Sequence, residues 1–175
     1  EKFLKHELVF NHRSMNGIQF LMRINELLGA TIDWSIEEDF SFTDQYKLNG
    51  KIDCLGIHQN IVFLFDFKST KYGASSNKEI EQVESVQLWA YAQAAAKRIE
   101  GFENKTIVMG FISLDNPAES NLLTNDTELF EKFKAAKMCK QQVFKAPFTE
   151  LFQMAKEKMI SVAELIQTEK VYAAR

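Results

Sequence analysis

Three residues in this chain have the types and spacing that phosphodiester chemistry needs: Asp53, Asp66 and Lys68. They fall in two phrases, Gly50-Lys51-Ile52-Asp53 and Asp66-Phe67-Lys68, and the second closes the apolar run Ile61-Val62-Phe63-Leu64-Phe65. Residues two apart in a strand share a face, so Asp66 and Lys68 project together at the end of that run. Ile52 to His58 also reads as a strand, and Gln59-Asn60 between the two is a two-residue turn. With that loop, position 58 pairs with 61 and the ladder runs down to Asp53 opposite Asp66. Directly opposed side chains have Cβ atoms about 5 Å apart, where like charges repel unless something compensates. A hard cation such as Mg²⁺ compensates, because it takes oxygen ligands from one or two carboxylates and completes its shell with water and phosphate oxygens. Lys68, one pleat beyond Asp66, is then placed to touch a phosphate or an attacking water. The plain alternative is a pair of hairpin-end acids beside a solvated lysine. The register and the apolar run count against it.

A third phrase, Gln87-Leu88-Trp89-Ala90-Tyr91, follows on a predicted helix. The three in order, a Gly-x-x-Asp strand, an apolar strand ending in Asp-x-Lys and a helix with Gln-x-x-x-Tyr, resemble the PD-(D/E)XK nuclease superfamily and its RecB-like exonuclease branch. The resemblance covers roughly residues 38 to 95. It implies a restriction-endonuclease-like α/β core and Mg²⁺ or Mn²⁺ held by Asp53, Asp66 and the main-chain carbonyl of Phe67. It further implies that Lys68 orients the water or stabilises charge at phosphorus, and that Gln87 and Tyr91 brace the site or contact DNA. Glu38 stands where many relatives carry a glutamate on the strand before Gly-x-x-Asp. The N-terminal helix that often completes the metal shell matches Gly17 to Glu26, but its histidine slot reads Leu21. Gln19, Glu26 and His6 are the candidate substitutes, Glu26 also reading as an ordinary solvated helix residue and His6 as a surface one.

The elements needed to hold these residues are legible as periodicity. Helix is expected from Met15 to Leu28, strand from Trp34 to Thr43, the hairpin from Lys51 to Ser69, helix from about Lys78 to Arg98 and strand from Thr106 to Leu114, closed by Asp115-Asn116-Pro117. Val62 and Leu64 share the Asp66 face while Phe63, Phe65 and Phe67 take the other, so both faces are apolar, as in a layered α/β core. Beyond Pro117 the pattern is helical. A long final helix opens at Ala146-Pro147. Together these predict a central mixed β-sheet flanked by helices, with a helical C-terminal extension. Between hairpin and helix, the Gly/Ser-containing stretch 71–77 reads as a loop at the mouth of the site, and Lys71 in it is the expected DNA-phosphate contact.

Composition bounds the rest. A chain of 175 residues, 46% hydrophobic, with 7 Gly and 2 Pro, reads as one domain spanning 1–175. Beginning at Glu1 without methionine, it reads as a piece cut from a longer polypeptide or as a renumbered chain. Its fifteen phenylalanines are core material more than base-stacking platforms. A net charge of −3 excludes nucleic-acid binding through overall charge and leaves local patches. Lys132, Lys134, Lys137, Lys140 and Lys145 form one such patch or, equally, a solvated helix face. Two cysteines, Cys54 and Cys139, cannot build the four-cysteine cluster of some RecB-like nucleases. No signal peptide, transmembrane run or lipidation motif is visible, so a cytoplasmic, reducing setting is expected. The functional expectation is a metal-dependent deoxyribonuclease, an exonuclease acting at DNA ends in repair or recombination, partnered by DNA and by a helicase or other domain on the same or another chain. The rivals are an inactive nuclease-like module that binds DNA or a protein, and a site-specific endonuclease of the same fold.

Overall fold

In the computed structural model, residues 12–42, 48–68, 85–124, 126–142 and 157 are described. Helix α1 (His12–Leu28) ends because Gly29 takes φ 60°. The N–H groups of Gly29 and Ala30 then donate to the carbonyls of Glu26 and Asn25 at 3.2 and 3.0 Å, closing the last turn. Strands β1 (Asp33–Phe42), β2 (Leu48–His58) and β3 (Ile61–Lys68) follow as an antiparallel meander. Gln59 opens the β2–β3 turn with φ 51°, the left-handed conformation that a two-residue hairpin loop demands. That short loop fixes the pairing from His58↔Ile61 to Cys54↔Phe65, the register expected from the sequence.

Helix α2 (Ser85–Arg98) carries the chain back so that β4 (Thr106–Ser113) lies parallel to β3, with Asp66 level with Phe111 and Lys68 with Ser113. Then come β5 (Asn121–Thr124), antiparallel to β4, helix α3 (Thr127–Ala135) and the two-residue β6 (Gln141–Gln142). The six strands form one mixed sheet whose spatial order is the chain order. The expectation of continuous helix beyond Pro117 needs correction here, because β5 precedes α3. All four residues of β5 are buried, and four residues with both faces covered show no alternation to read. Helix α3 starts where Asp126 Oδ1 accepts from the Leu129 N–H at 3.0 Å. Stretch 71–77, the first part of the helix expected from Lys78 and, Glu157 apart, the helix expected from Ala146-Pro147 lie outside the described residues.

The sheet is covered on both sides. Leu88, Tyr91, Ala92 and Ala95 of α2 pack with Leu55, Val62, Leu64, Ile107, Met109 and Phe111 on the face that carries Asp66. Phe20, Leu21 and Ile24 of α1, with Leu129, Phe130 and Phe133 of α3, cover Cys54, Phe63, Phe65, Val108 and Ile112 on the other. On this second face Trp34 stacks over Phe65 at 6.1 Å and Phe20 meets Phe65 edge-on at 5.7 Å, an arrangement aromatic rings favour. Trp34 lies flat because its strand partner is Gly56, whose missing Cβ would sit 2.3 Å from the indole. Its indole N–H donates to Asn25 Oδ1 at 3.1 Å, tying α1 to the sheet.

Candidate active site

The β2–β3 ladder runs to Cys54↔Phe65, and one step further the strands are joined by a side chain: the Phe67 N–H donates to Asp53 Oδ2 at 3.0 Å. The same register sets Asp53 opposite Asp66. Burial pushes the Asp53 carboxyl from 3.8 up to about 7, the neighbouring Asp66 carboxyl pushes the same way, and the Phe67 N–H and Lys68 pull it back. Asp53 thus holds its proton to a higher pH than an ordinary carboxyl does.

Asp66 is only 3% exposed, and its Oδ2 accepts no hydrogen bond. Lys68 Nζ stands 2.8 Å from that oxygen, so an ammonium charge faces the buried carboxylate. Burying a carboxylate is costly without such compensation. The ammonium also sits 5.6 Å from the centre of the Phe111 ring, whose residue faces Asp66 across the β3–β4 ladder. Leu114 N–H donates to the Lys68 carbonyl, so Lys68 directs its backbone groups toward β4. By the alternation of a strand, Phe67 directs its N–H and C=O toward β2, the side on which Asp53 lies.

The other expected site residues are distributed unevenly. Tyr91 is buried in the helix-covered core on the Asp66 face. Gln87 stands one turn before it on α2, and only its backbone position is described. Glu38 pairs with Ile52, so the pairs Ile36↔Cys54 and Glu38↔Ile52 set Glu37, not Glu38, level with Asp53. Glu26 is exposed on α1, the helix covering the opposite face, and among the described residues no three His, Cys, Asp or Glu side chains gather as a metal cluster. The structure therefore does not bring Glu26 to Asp53 and Asp66. Gln19 is exposed on the same helix, and Leu21, in the histidine slot, is buried beneath it. Lys71, Lys145 and His6 lie outside the described residues. Lys132 and Lys134 are exposed in the last turn of α3, and Lys140 pairs with Glu119 at 3.3 Å. Because α3 covers the face opposite Asp66, this basic group is not part of the site. Cys54 and Cys139 are buried free thiols. Burial raises both, Cys139 to about 11, which keeps them from thiolate chemistry.

Phe111 is the neighbour that the sequence reading misses. An aromatic residue in an apolar strand carries no signal of its own, and only the parallel β3–β4 register puts it beside Lys68. Two carboxylates offering oxygen donors, one of them an Oδ2 buried without a hydrogen bond, fit a hard divalent cation.

A mixed sheet flanked by helices, with two aspartates and a lysine at one end of its hairpin, is a restriction-endonuclease-like α/β fold. A comparison with protein-family models matches the PD-(D/E)XK nuclease superfamily over residues 13–174, and the chain belongs to that superfamily. Its members are generally nucleases that use divalent metals and act on nucleic acid. Comparison with curated proteins gives no match. Among the described residues no helix is long and apolar enough to cross a membrane.

Proposed function

We propose that the chain is a metal-dependent deoxyribonuclease of the RecB-like type, an exonuclease working at DNA ends in repair or recombination. The observation that carries the hydrolytic reading is the meeting of Asp53 and Asp66 across the hairpin with Lys68 Nζ 2.8 Å from Asp66. The exonuclease reading is supported by the Gln87-x-x-x-Tyr91 phrase on α2, which resembles that branch.

Asp53 and Asp66 would hold Mg²⁺ or Mn²⁺, with the Phe67 carbonyl as a further oxygen ligand. The cation, when bound, polarises the scissile phosphate and lowers the pKa of a water. Because burial and the neighbouring Asp66 raise the Asp53 carboxyl, a cation would compete there with a proton. Asp53 stays oriented by the Phe67 N–H. Lys68, drawn from Asp66 toward the substrate, stabilises the extra negative charge on the phosphoryl oxygens, work that only a positioned cation or donor can do. Gln87 and Tyr91 brace the site from α2, and Lys71 contacts a DNA phosphate. A helicase or other domain, on this chain or a partner's, delivers the end.

A second reading, a nuclease-like module without activity that binds DNA or a protein, is favoured by Leu21, a buried core residue where relatives carry a metal-binding histidine. Incubation with linear and with closed circular DNA, with and without Mg²⁺ or Mn²⁺, separates the readings. Metal-dependent loss of the linear form alone is expected. Nicking of the circle refutes the exonuclease reading, and inert DNA under every condition refutes catalysis.

A further inference from the structure

Among the neighbours of the Lys68 ammonium are two of different kinds, Asp66 Oδ2 at 2.8 Å and the Phe111 ring at 5.6 Å. If Asp66 holds a cation, as in the nuclease reading on which this inference rests, that carboxylate is shared with the metal and its grip on Lys68 weakens. The ring is not shared. Phe111 is fully buried, fixed among the residues that α2 covers, and held level with Asp66 by the β3–β4 ladder. A lysine on a four-carbon stem has wide rotamer freedom, and the Lys68 side chain is 23% exposed, so water competes for its head group. An aromatic face attracts an ammonium through its quadrupole and cannot take the proton or bind a hard metal in exchange.

We propose that Phe111 is a positioning residue: its ring face keeps the Lys68 ammonium on the Asp66 side of the sheet after the cation has engaged Asp66, so that the charge is in place when phosphate arrives. Apolar bulk alone does not serve, since the attraction comes from ring electrons. Phe111 therefore acts on turnover and not on DNA or metal affinity.

The test is site-specific replacement of Phe111 in the full chain by mono-, di- and trifluorinated phenylalanine, which drains the ring face while nearly keeping its shape. Cleavage of linear DNA with Mn²⁺ is then measured. The expected result is a stepwise fall in kcat, about 2- to 30-fold over the series, with KM for DNA, the Mn²⁺ midpoint and the melting temperature unchanged. A separate readout needs no activity: the ε-methylene protons of Lys68 in lysine-labelled protein should resonate upfield through the ring current and move downfield in Phe111→Leu. A flat kcat across the series in a chain that cleaves, or ε-protons at the position of a free lysine, overturns the role of Phe111 alone. A chain that cleaves nothing overturns the nuclease reading and this role with it, so the two failures are told apart.

Discussion

Replacing Asp53 by asparagine should make the metal-free protein more stable and inactive at once. Asparagine imitates the protonated acid: its Oδ1 accepts from the Phe67 N–H as Asp53 Oδ2 does, and its amide donates toward Asp66. What it removes is the cost of ionising a half-buried carboxyl beside another. The gap between 3.8 and about 7 corresponds, at about 1.4 kcal/mol per pKa unit, to roughly 4 kcal/mol. Partial exposure and screening cut this to on the order of 1–2 kcal/mol. The sign follows from proton counting: between pH 3.8 and about 7 the folded state holds a proton that the unfolded state has lost, so the contribution of Asp53 is full below 3.8 and disappears as pH rises toward 7. The variant lacks that slope. For a chain of this size each kcal/mol moves the melting point by about 2–4 °C, so Asp53→Asn should melt about 2–8 °C above the wild type at pH 8.5 in EDTA and alongside it near pH 4. Thermal melts by circular dichroism across that range measure it. With Mn²⁺ added at pH 8.5 the wild type should gain stability and the variant should not, since the second carboxylate is gone. A stability gap of equal size at both pH values, or a variant that melts lower at pH 8.5, would refute the raised Asp53 carboxyl.

Lys68→Ala should abolish cleavage, a loss of about 100-fold or more, while calorimetry still detects metal binding; Asp66→Ala should lose both, and wild-type cleavage by Lys68→Ala would sink the catalytic assignment. Gly56→Ala should destabilise by about 1–3 kcal/mol in urea unfolding, because its Cβ would lie 2.3 Å from the Trp34 ring, and the tryptophan emission should shift as the indole is displaced. Lys132→Glu with Lys134→Glu should leave cleavage and its salt dependence unchanged, because α3 covers the face opposite Asp66; a steep loss of DNA affinity would show that the substrate wraps around the sheet.

The hairpin was readable because its determinants are local. A two-residue loop between an apolar run and a second strand allows few registers, and the one that puts Asp53 opposite Asp66 also sorts Val62 and Leu64 from Phe63 and Phe65. Helix α1 and strand β1 were legible for the same reason, and β4 because its apolar run is long and closed by Asp115-Asn116-Pro117. Strand β5 was not, being four residues buried on both faces. Neither was Phe111, whose place depends on a parallel pairing between segments joined through a helix, which nothing in either segment announces. The register of β1 is the kind of detail that motif transfer leaves open: the pairing sets Glu37, next to Glu38, level with Asp53, and the sequence alone does not count that residue.

Strand β3 has an antiparallel neighbour on one side and a parallel one on the other. The chain must therefore leave the sheet at Lys68, beside the chemistry, and re-enter at Thr106, at the far end, with α2 making the return. Lengthening the connection after Lys68 touches no strand pairing of the described sheet, and loop closure costs little for added residues. The residues to which the nuclease reading assigns the chemistry and the connection that follows them are thus adjacent in the chain yet independent in their folding demands, so that connection can be rebuilt while Asp53, Asp66 and Lys68 stay as they are.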